Sequence, residues 1–69
     1  MKISARNVFK GKIKKIFPGV VNCEVVIEIA KGIEIVSVIT KGSAENLGLK
    51  VGMDAHAVVK SSSVMVAVD

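Results

Sequence analysis

Aromatic residues are scarce in this 69-residue chain, which has no Trp, no Tyr and only two Phe. Proteins that bind single-stranded nucleic acid stack bases on aromatic side chains, so the shortage argues against that class. One Cys and one His cannot form a disulfide or a cluster of metal ligands. They also give no nucleophile and base at a plausible spacing, so we do not expect an enzyme or a bound cofactor.

Long hydrophobic runs are absent as well. No apolar run approaches the roughly 18 residues needed to span a bilayer, and the start Met1–Ser4 lacks the apolar stretch of a signal peptide. The single Cys23 lies among Val21, Val25 and Ile27, where a small buried residue is expected. A free buried thiol suits a reducing compartment, so we expect a cytoplasmic protein. Because no apolar run is long enough to span a bilayer, we expect no membrane partner.

What the chain does have is aliphatic mass. Hydrophobic residues make up 51% of it and the mean hydropathy is +0.57, with Val, Ile and Ala dominant. A chain of this length forms one domain, residues 1–69, and its small core cannot bury so much apolar surface. We therefore expect a homo-oligomer that buries the excess between subunits. The net charge of +4 favours anionic partners of some kind.

Alternation of apolar and polar residues predicts strands along most of the chain. The predicted strands cover residues 8–17, 20–30, 33–40, 53–59 and 64–68. In the first, Phe9, Ile13 and Phe17 are expected to share the core face, and in the second Cys23 and Val25 do so. Pro18-Gly19 and Lys31-Gly32 are typical of turns. Five strands in this order are the basis of the fold prediction.

A short helix is predicted between the third and fourth strands. Ser43 is a suitable N-cap, Glu45 fits the first turn, and Gly48 can end the helix in a left-handed conformation. The result is an all-β fold, a five-stranded OB-fold barrel with one short helix between strands 3 and 4. The third and fifth strands are apolar on both faces, with Val36 and Val38 on the second face of the third, which again indicates assembly.

Two polar clusters stand at the edges of this strand pattern, Ser4-Ala5-Arg6-Asn7 near one end and Lys60-Ser61-Ser62 near the other. In a small closed sheet the first and last strands can be neighbours, so the clusters could form one site. Each offers hydroxyls beside a permanent cation and contains no carboxylate, which suits a tetrahedral dianion that only accepts hydrogen bonds. Residue chemistry alone favours a different interpretation, in which the hydroxyls belong to turns and the cations are solvated charges at strand ends.

The same segments carry a family resemblance. Ser4-Ala5-Arg6-Asn7, Gly48-Leu49-Lys50-Val51-Gly52 and Val58-Val59-Lys60-Ser61, in this order and spacing, resemble the molbindin or Mop family of small cytoplasmic molybdate-binding proteins. The resemblance extends from Ile3 to Val68. It implies molybdate or tungstate as the ligand, a homohexamer built as a trimer of dimers, and intracellular storage, buffering or delivery of the anion.

The resemblance also implies which residues bind. The primary oxyanion-binding residues are Ser4, Ala5, Arg6, Lys60 and Ser61. The secondary ones are Thr40, Ser43 and Ser62, of which Thr40 and Ser43 are placed near a second or shared anion position at the start of the helix. No metal is expected except as the oxyanion. Ordinary strand-end and capping roles stay open for Thr40 and Ser43.

Two further features stay open at the level of sequence. His56 is either an exposed strand residue or an anion contact at a subunit interface. Lys10, Lys12, Lys14 and Lys15 form a basic stripe that is either a solvated face, a means of steering anions, or a contact for a phosphate backbone. An OB-type module for single-stranded nucleic acid is therefore the alternative function.

Overall fold

The computed structural model describes residues 1–69, and its framework is one antiparallel sheet. The strands are β1 (Asn7–Pro18), β2 (Asn22–Ala30), β3 (Ile33–Thr40) and β4 (Asp54–Val59), and the helix α1 (Lys41–Leu47) follows β3. A short 3-10 turn covers Ser61–Ser63. The strand order in the sheet is β3-β2-β1-β4. The fold is therefore dominated by strands with one short helix, as predicted, but the sheet has four strands.

The predicted fifth strand is wrong for the isolated chain. Residues 64–68 belong to no strand and lie exposed after the 3-10 turn. Their pattern is that of a strand, but a strand needs a neighbour to hydrogen-bond with, and residues 64–68 pair with no other strand in the structure. The sheet is consequently an open, curled sheet and not a closed barrel.

The core is small and lies on one face of the sheet. Its buried members are Ile13, Cys23, Val25, Ile27 and Ala57. Cys23 is a free, buried thiol, as its apolar neighbours in the sequence predict. Only six of the 69 residues are buried, which leaves much of the aliphatic surface uncovered.

A β-bulge in β1 corrects the predicted core face. The β1–β2 register shifts between Ile13 and Lys15, so Ile16 pairs with Val25 and turns toward the core while Phe17 pairs with Glu24. An extra residue in one strand reverses the faces that follow it. Phe17 is therefore 52% exposed. Its predicted place in the core is wrong.

The second predicted core phenylalanine is also exposed, for a different reason. Phe9 pairs with the buried Ala57 and shares its face of the sheet, but it is 41% exposed because it lies near the uncovered end of β1. Gly11, two residues on, lies where β1 crosses β2 closely: a Cβ there would be 2.4 Å from the Glu28 carbonyl oxygen. This close approach needs glycine.

The helix is longer than predicted and begins earlier. Thr40, not Ser43, is the N-cap: its Oγ1 accepts a hydrogen bond from the Ser43 backbone N–H at 3.1 Å. Both residues are good caps by type, and the end of β3 at Thr40 decides between them. Gly48 ends α1 in the left-handed conformation, with φ of 63°, as predicted. At seven residues, α1 falls well short of the length required of a membrane-crossing helix.

Candidate functional site

The pairing of β1 with β4 brings the two polar clusters together. Asn7, the first residue of β1, lies opposite Val59, the last residue of β4. The segments that flank this pair form an open hollow of about 720 Å³, which we call the donor hollow. Its lining residues are Ser4, Ala5, Arg6, Val58, Lys60, Ser61 and Ser62.

Asn7 fixes the relative position of the two segments. Its Nδ2 donates to the Val59 carbonyl oxygen at 3.3 Å and to Ser61 Oγ at 3.4 Å. A side chain at the start of β1 thus holds the segment that carries Lys60 and Ser61. Asn7 belongs to the first polar cluster of the sequence, but its residue type alone predicted no role for it. Its position at the boundary between polar cluster and strand was the available signal.

The donor hollow presents donors and cations without an acid. Its lining contains no carboxylate, and neither Arg6 nor Lys60 forms an ion pair. The backbone N–H groups of Ser4, Ala5 and Arg6 make no backbone hydrogen bond, and the same is true of Ser61 and Ser62. Such a set of free donors can bind an anion that accepts several hydrogen bonds.

The donor hollow is open on one side. Ser4, Arg6, Lys60 and Ser61 are all exposed in the isolated chain, and Ala5 is half-buried. Water therefore reaches each donor, and hydrogen bonds to a bound anion compete with hydrogen bonds to solvent. A bound anion would be desolvated only if a further surface covered the hollow.

The predicted secondary residues do not share one location. Ser62 lines the donor hollow, whereas Thr40 and Ser43 lie at the opposite end of β1, since Thr40 pairs with Asn22 beside the Pro18 end. β1 has 12 residues, so its ends are on the order of 30 Å apart. Thr40 Oγ1 also donates to Ser43 Oγ at 2.8 Å, which completes the cap.

The basic stripe is largely neutralised within the chain. Lys12 Nζ lies 2.8 Å from Asp54 Oδ1, and Lys10 lies 3.9 Å from the other oxygen of Asp54. Lys14 contacts both Glu34, at 2.9 Å, and Glu28, at 3.2 Å. Three of the four lysines thus face carboxylates. The arrangement favours a solvated, ion-paired face over a surface for phosphate backbones.

These ion pairs shift the pKa values of the groups involved. The hydrogen bond from Lys12 lowers the pKa of Asp54, with smaller contributions from the charges of Lys12, Lys10 and His56. The hydrogen bond from Lys14 lowers the pKa of Glu34, and Glu34 and Glu28 together raise the pKa of Lys14. All of these groups are at the surface, so solvent and salt weaken the effect.

His56 lies outside the donor hollow. It is exposed on β4, opposite Lys10 of β1, and borders an apolar groove between the edges of the sheet. Within one chain it does not join the polar clusters. No three His, Cys, Asp or Glu side chains come together in a way that could hold a metal ion.

Comparisons with known proteins show the family to which the chain belongs. The model of the TOBE domain family matches residues 3–66. "Molybdenum-pterin-binding protein 2" of Clostridium pasteurianum is 53% identical over 66 residues, covering 96% of this chain and 97% of that protein. The solved structure of MopII from the same organism superposes with a TM-score of 0.92 at 51% identity, covering 97% of this chain and all of that one.

A further solved structure extends the comparison to a ligand-bound relative. The cytoplasmic molybdate-binding protein ModG, solved with molybdate bound, superposes with a TM-score of 0.88 at 45% identity. The match covers 94% of this chain and 46% of ModG. The chain thus belongs to the TOBE domain family and, within it, to the Mop proteins.

Proposed function

We propose that this protein binds molybdate, and the nearly isosteric tungstate, in the donor hollow. The observation that carries the proposal is the composition of the hollow, which offers two unpaired cations, hydroxyls and free N–H groups but no carboxylate. A tetrahedral dianion accepts hydrogen bonds and donates none, so this donor set suits it. Membership in the Mop family supports the same ligand.

The proposed primary ligands are the residues that line the hollow from both segments. Arg6 and Lys60 supply charge, Ser4 and Ser61 supply hydroxyls, and Ala5 supplies a backbone N–H. Ser62 is a secondary ligand. Because Asn7 holds Ser61 by its hydroxyl oxygen, the hydrogen of that hydroxyl stays free to point at the anion.

The exposure of the hollow supports a site formed between subunits. A second chain laid over the hollow would exclude water and strengthen each hydrogen bond to the anion. The homohexamer implied by the family resemblance, a trimer of dimers, supplies such a surface. Thr40 and Ser43, at the far end of β1, would join a second anion position only through another subunit.

The proposed role is storage, buffering or delivery of the anion in the cytoplasm. Residues 1–69 would act as a single molybdate-binding domain without catalysis and with no cofactor besides the ligand. Binding is passive in this scheme: subunits assemble, and the strand-end donors then surround the anion.

The structure gives little support to the alternative of nucleic-acid binding. The lysines that would contact phosphates are paired with Asp54, Glu28 and Glu34. Phe9 and Phe17 are exposed but lie about 26 Å apart along β1, too far for one continuous stacking surface.

Calorimetric titration with molybdate in sulfate-free buffer tests the proposal. We expect tight binding near or above one anion per chain, with sulfate a weak competitor. The absence of heat, in protein shown to be folded and assembled, would contradict the proposal. A titration with a single-stranded oligonucleotide in parallel would then show whether the alternative holds.

A further inference from the structure

The segment that follows β4 uses its backbone acceptors within the chain. The Lys60 carbonyl accepts a hydrogen bond from the Ser63 N–H at 2.9 Å. The Ser61 carbonyl accepts one from the Val64 N–H at 3.3 Å. Both carbonyl oxygens are therefore occupied by the 3-10 turn and its first following residue. This side of the donor hollow is left with donors to offer, and few acceptors.

The side chain of Asn7 extends this pattern to a hydroxyl. The Val59 carbonyl oxygen can only accept a hydrogen bond, so the Asn7 amide must turn its nitrogen toward it, and Nδ2 makes this contact at 3.3 Å. The same nitrogen lies 3.4 Å from Ser61 Oγ. Because Nδ2 carries two hydrogens, one is available for each partner. The Val59 carbonyl thus fixes the amide, and the amide makes Ser61 Oγ an acceptor.

The hydroxyl hydrogen of Ser61 is consequently reserved for a ligand. Ser61 Oγ forms no hydrogen bond within the chain besides the one that it accepts from Asn7. A hydroxyl whose oxygen is held by a fixed donor offers its own hydrogen to any further partner. Without Asn7, the same hydroxyl could rotate and present a lone pair to the hollow as readily as a hydrogen.

This difference bears on which oxyanions fit. Molybdate, sulfate and selenate are dianions without a proton, whereas the dianions of phosphate and arsenate each keep one. The O–H of such an anion needs an acceptor, and leaving it desolvated without one costs free energy. The hollow contains no carboxylate that could accept it. The hydroxyls of Ser4 and Ser62 are exposed and have no fixed donor, so we expect a graded preference and not a complete exclusion.

We propose that Asn7 makes the donor hollow selective for oxyanions without a proton, because it holds Ser61 Oγ as an acceptor and so directs the hydroxyl hydrogen to the ligand. Asn7 is a positioning residue in this scheme, since it acts on the anion through Ser61. The inference rests on the proposed function and deepens it. It names the class of oxyanion that the hollow disfavours, which is the class that hydrogen phosphate and hydrogen arsenate represent.

Selenate and hydrogen arsenate are a matched pair of probes. In mildly alkaline buffer both are tetrahedral dianions of similar size, and they differ by one proton. Each is titrated calorimetrically as a competitor of molybdate, with the full chain in its assembled form. The ratio of the two affinities is the measured quantity. We expect the wild type to favour selenate, and Asn7→Ala to reduce this preference about tenfold, which corresponds to one hydrogen bond.

Asn7→Asp is a second variant with a stronger expected effect. Its carboxylate would accept from the Ser61 hydroxyl, which would then turn a lone pair to the hollow, so the preference for selenate should fall at least as far as in Asn7→Ala. The added negative charge weakens both dianions alike and cancels in the ratio. Asn46→Asp is the matched control. It makes the same change at an exposed position of α1 and should keep the wild-type ratio.

A Ser61→Ala background separates this role from simple support of the segment. If Asn7 acts through the hydroxyl, Asn7→Ala should leave the ratio unchanged once residue 61 is Ala. Loss of the contact with Val59 alone would weaken both anions equally, without a change in the ratio. A change in the ratio that persists in full in the Ser61→Ala background would overturn the inference.

Two further results would also overturn it. One is a wild type that binds selenate and hydrogen arsenate equally, a result that requires no variant to fold. The other is an unchanged ratio in both Asn7 variants while molybdate still binds, which would leave the proposed function standing. If the wild type bound no molybdate, the proposed function would fail and this inference with it.

Discussion

Arg6 and Lys60 are the two side-chain charges at the donor hollow, and neither is paired with a carboxylate. A cation without a partner in the free protein loses no ion pair when it turns to an anion. Their position, one on each polar segment, means that both segments contribute charge. The sequence predicts that the two segments meet, because the first and last strands of a small closed sheet can be neighbours. In the structure they meet because β1 pairs with β4, with Asn7 opposite Val59.

We expect Lys60→Ala to weaken molybdate binding about tenfold, because a charge-assisted hydrogen bond contributes on the order of 1.5 kcal/mol. Arg6→Ala should act similarly, and neither should abolish binding while the backbone donors remain. Calorimetric titration of each variant provides the measurement. Lys31→Ala removes the same charge at an exposed turn and should bind as tightly as the wild type. Wild-type affinity in both test variants would refute the assignment of these residues.

Asp54 gives a prediction on pH. Lys12 and Lys10 lower its pKa below the ordinary value of 3.8, so the ionised form is favoured in the folded state. The resulting stabilisation is present above the ordinary pKa and is lost as the pH falls through the lowered one. We expect Asp54→Asn to be less stable than the wild type near neutral pH, with the difference vanishing in acid.

Urea unfolding of both proteins at about pH 7 and about pH 2 measures this difference. Glu45→Gln is a suitable control because Glu45 forms no ion pair in the structure. If the difference in free energy of unfolding between the wild type and Asp54→Asn persisted unchanged in acid, the Asp54 side chain would have to stabilise the fold through something other than its charge.

Among the elements, β2 and β3 follow the sequence pattern closely. β3 has the predicted bounds, and Cys23, Val25 and Ile27 of β2 line the core as their alternation indicates. β1 departs from its pattern because alternation does not reveal a bulge. Phe17 has the spacing of a core residue, but the extra residue between Ile13 and Lys15 turns it to the other face. The cap of α1 was misassigned because Thr40 and Ser43 are equally suited by type, and only the end of β3 distinguishes them.

Two glycines allow a matched test of element geometry. A Cβ on Gly11 would lie 2.4 Å from the Glu28 carbonyl oxygen and 3.0 Å from the Ile29 Cα, both rigid backbone atoms. We expect Gly11→Ala to destabilise the fold by about 1–3 kcal/mol, the usual cost of overpacking. Gly42, in the first turn of α1, has open space around it, and Gly42→Ala should gain about 0.5–1 kcal/mol.

Urea unfolding of the two variants gives the free energies of unfolding. We expect the free energy of unfolding to fall in Gly11→Ala and to rise in Gly42→Ala. If Gly11→Ala proved as stable as the wild type, β1 and β2 would have to lie further apart at this point than the structure places them.

At the scale of the whole molecule, the sequence predicted assembly from excess apolar surface, and the structure shows where that surface lies. The sheet contains four of the five predicted strands, and residues 64–68 are not among them, because alternation does not show whether a segment finds another strand to pair with. In the same way, the expected neighbourhood of the first and last strands predicted that the two polar clusters meet, but it did not reveal that Thr40 and Ser43 lie at the other end of β1.

We expect the thermal midpoint to depend on the concentration of the protein itself and on molybdate. Few residues are buried in one chain, so the folded form relies on its partners, and dilution should lower the midpoint. Molybdate at a hundredfold excess over Kd should add about 2.7 kcal/mol to the free energy of unfolding and so raise the midpoint. Circular dichroism melts at two protein concentrations, with molybdate and with sulfate as the control, measure both effects. A midpoint that does not change with dilution would contradict reliance on assembly.

The close crossing at Gly11 also bears on how far such sequences can diverge. β1 pairs with β4 through its first half and with β2 through its second, and Lys12 belongs to both ladders. Beside that crossover the Gly11 position has no room for any side chain. Related sequences that keep this sheet can replace one aliphatic residue by another, but they should retain glycine at position 11. Position 42 carries no such constraint and can vary.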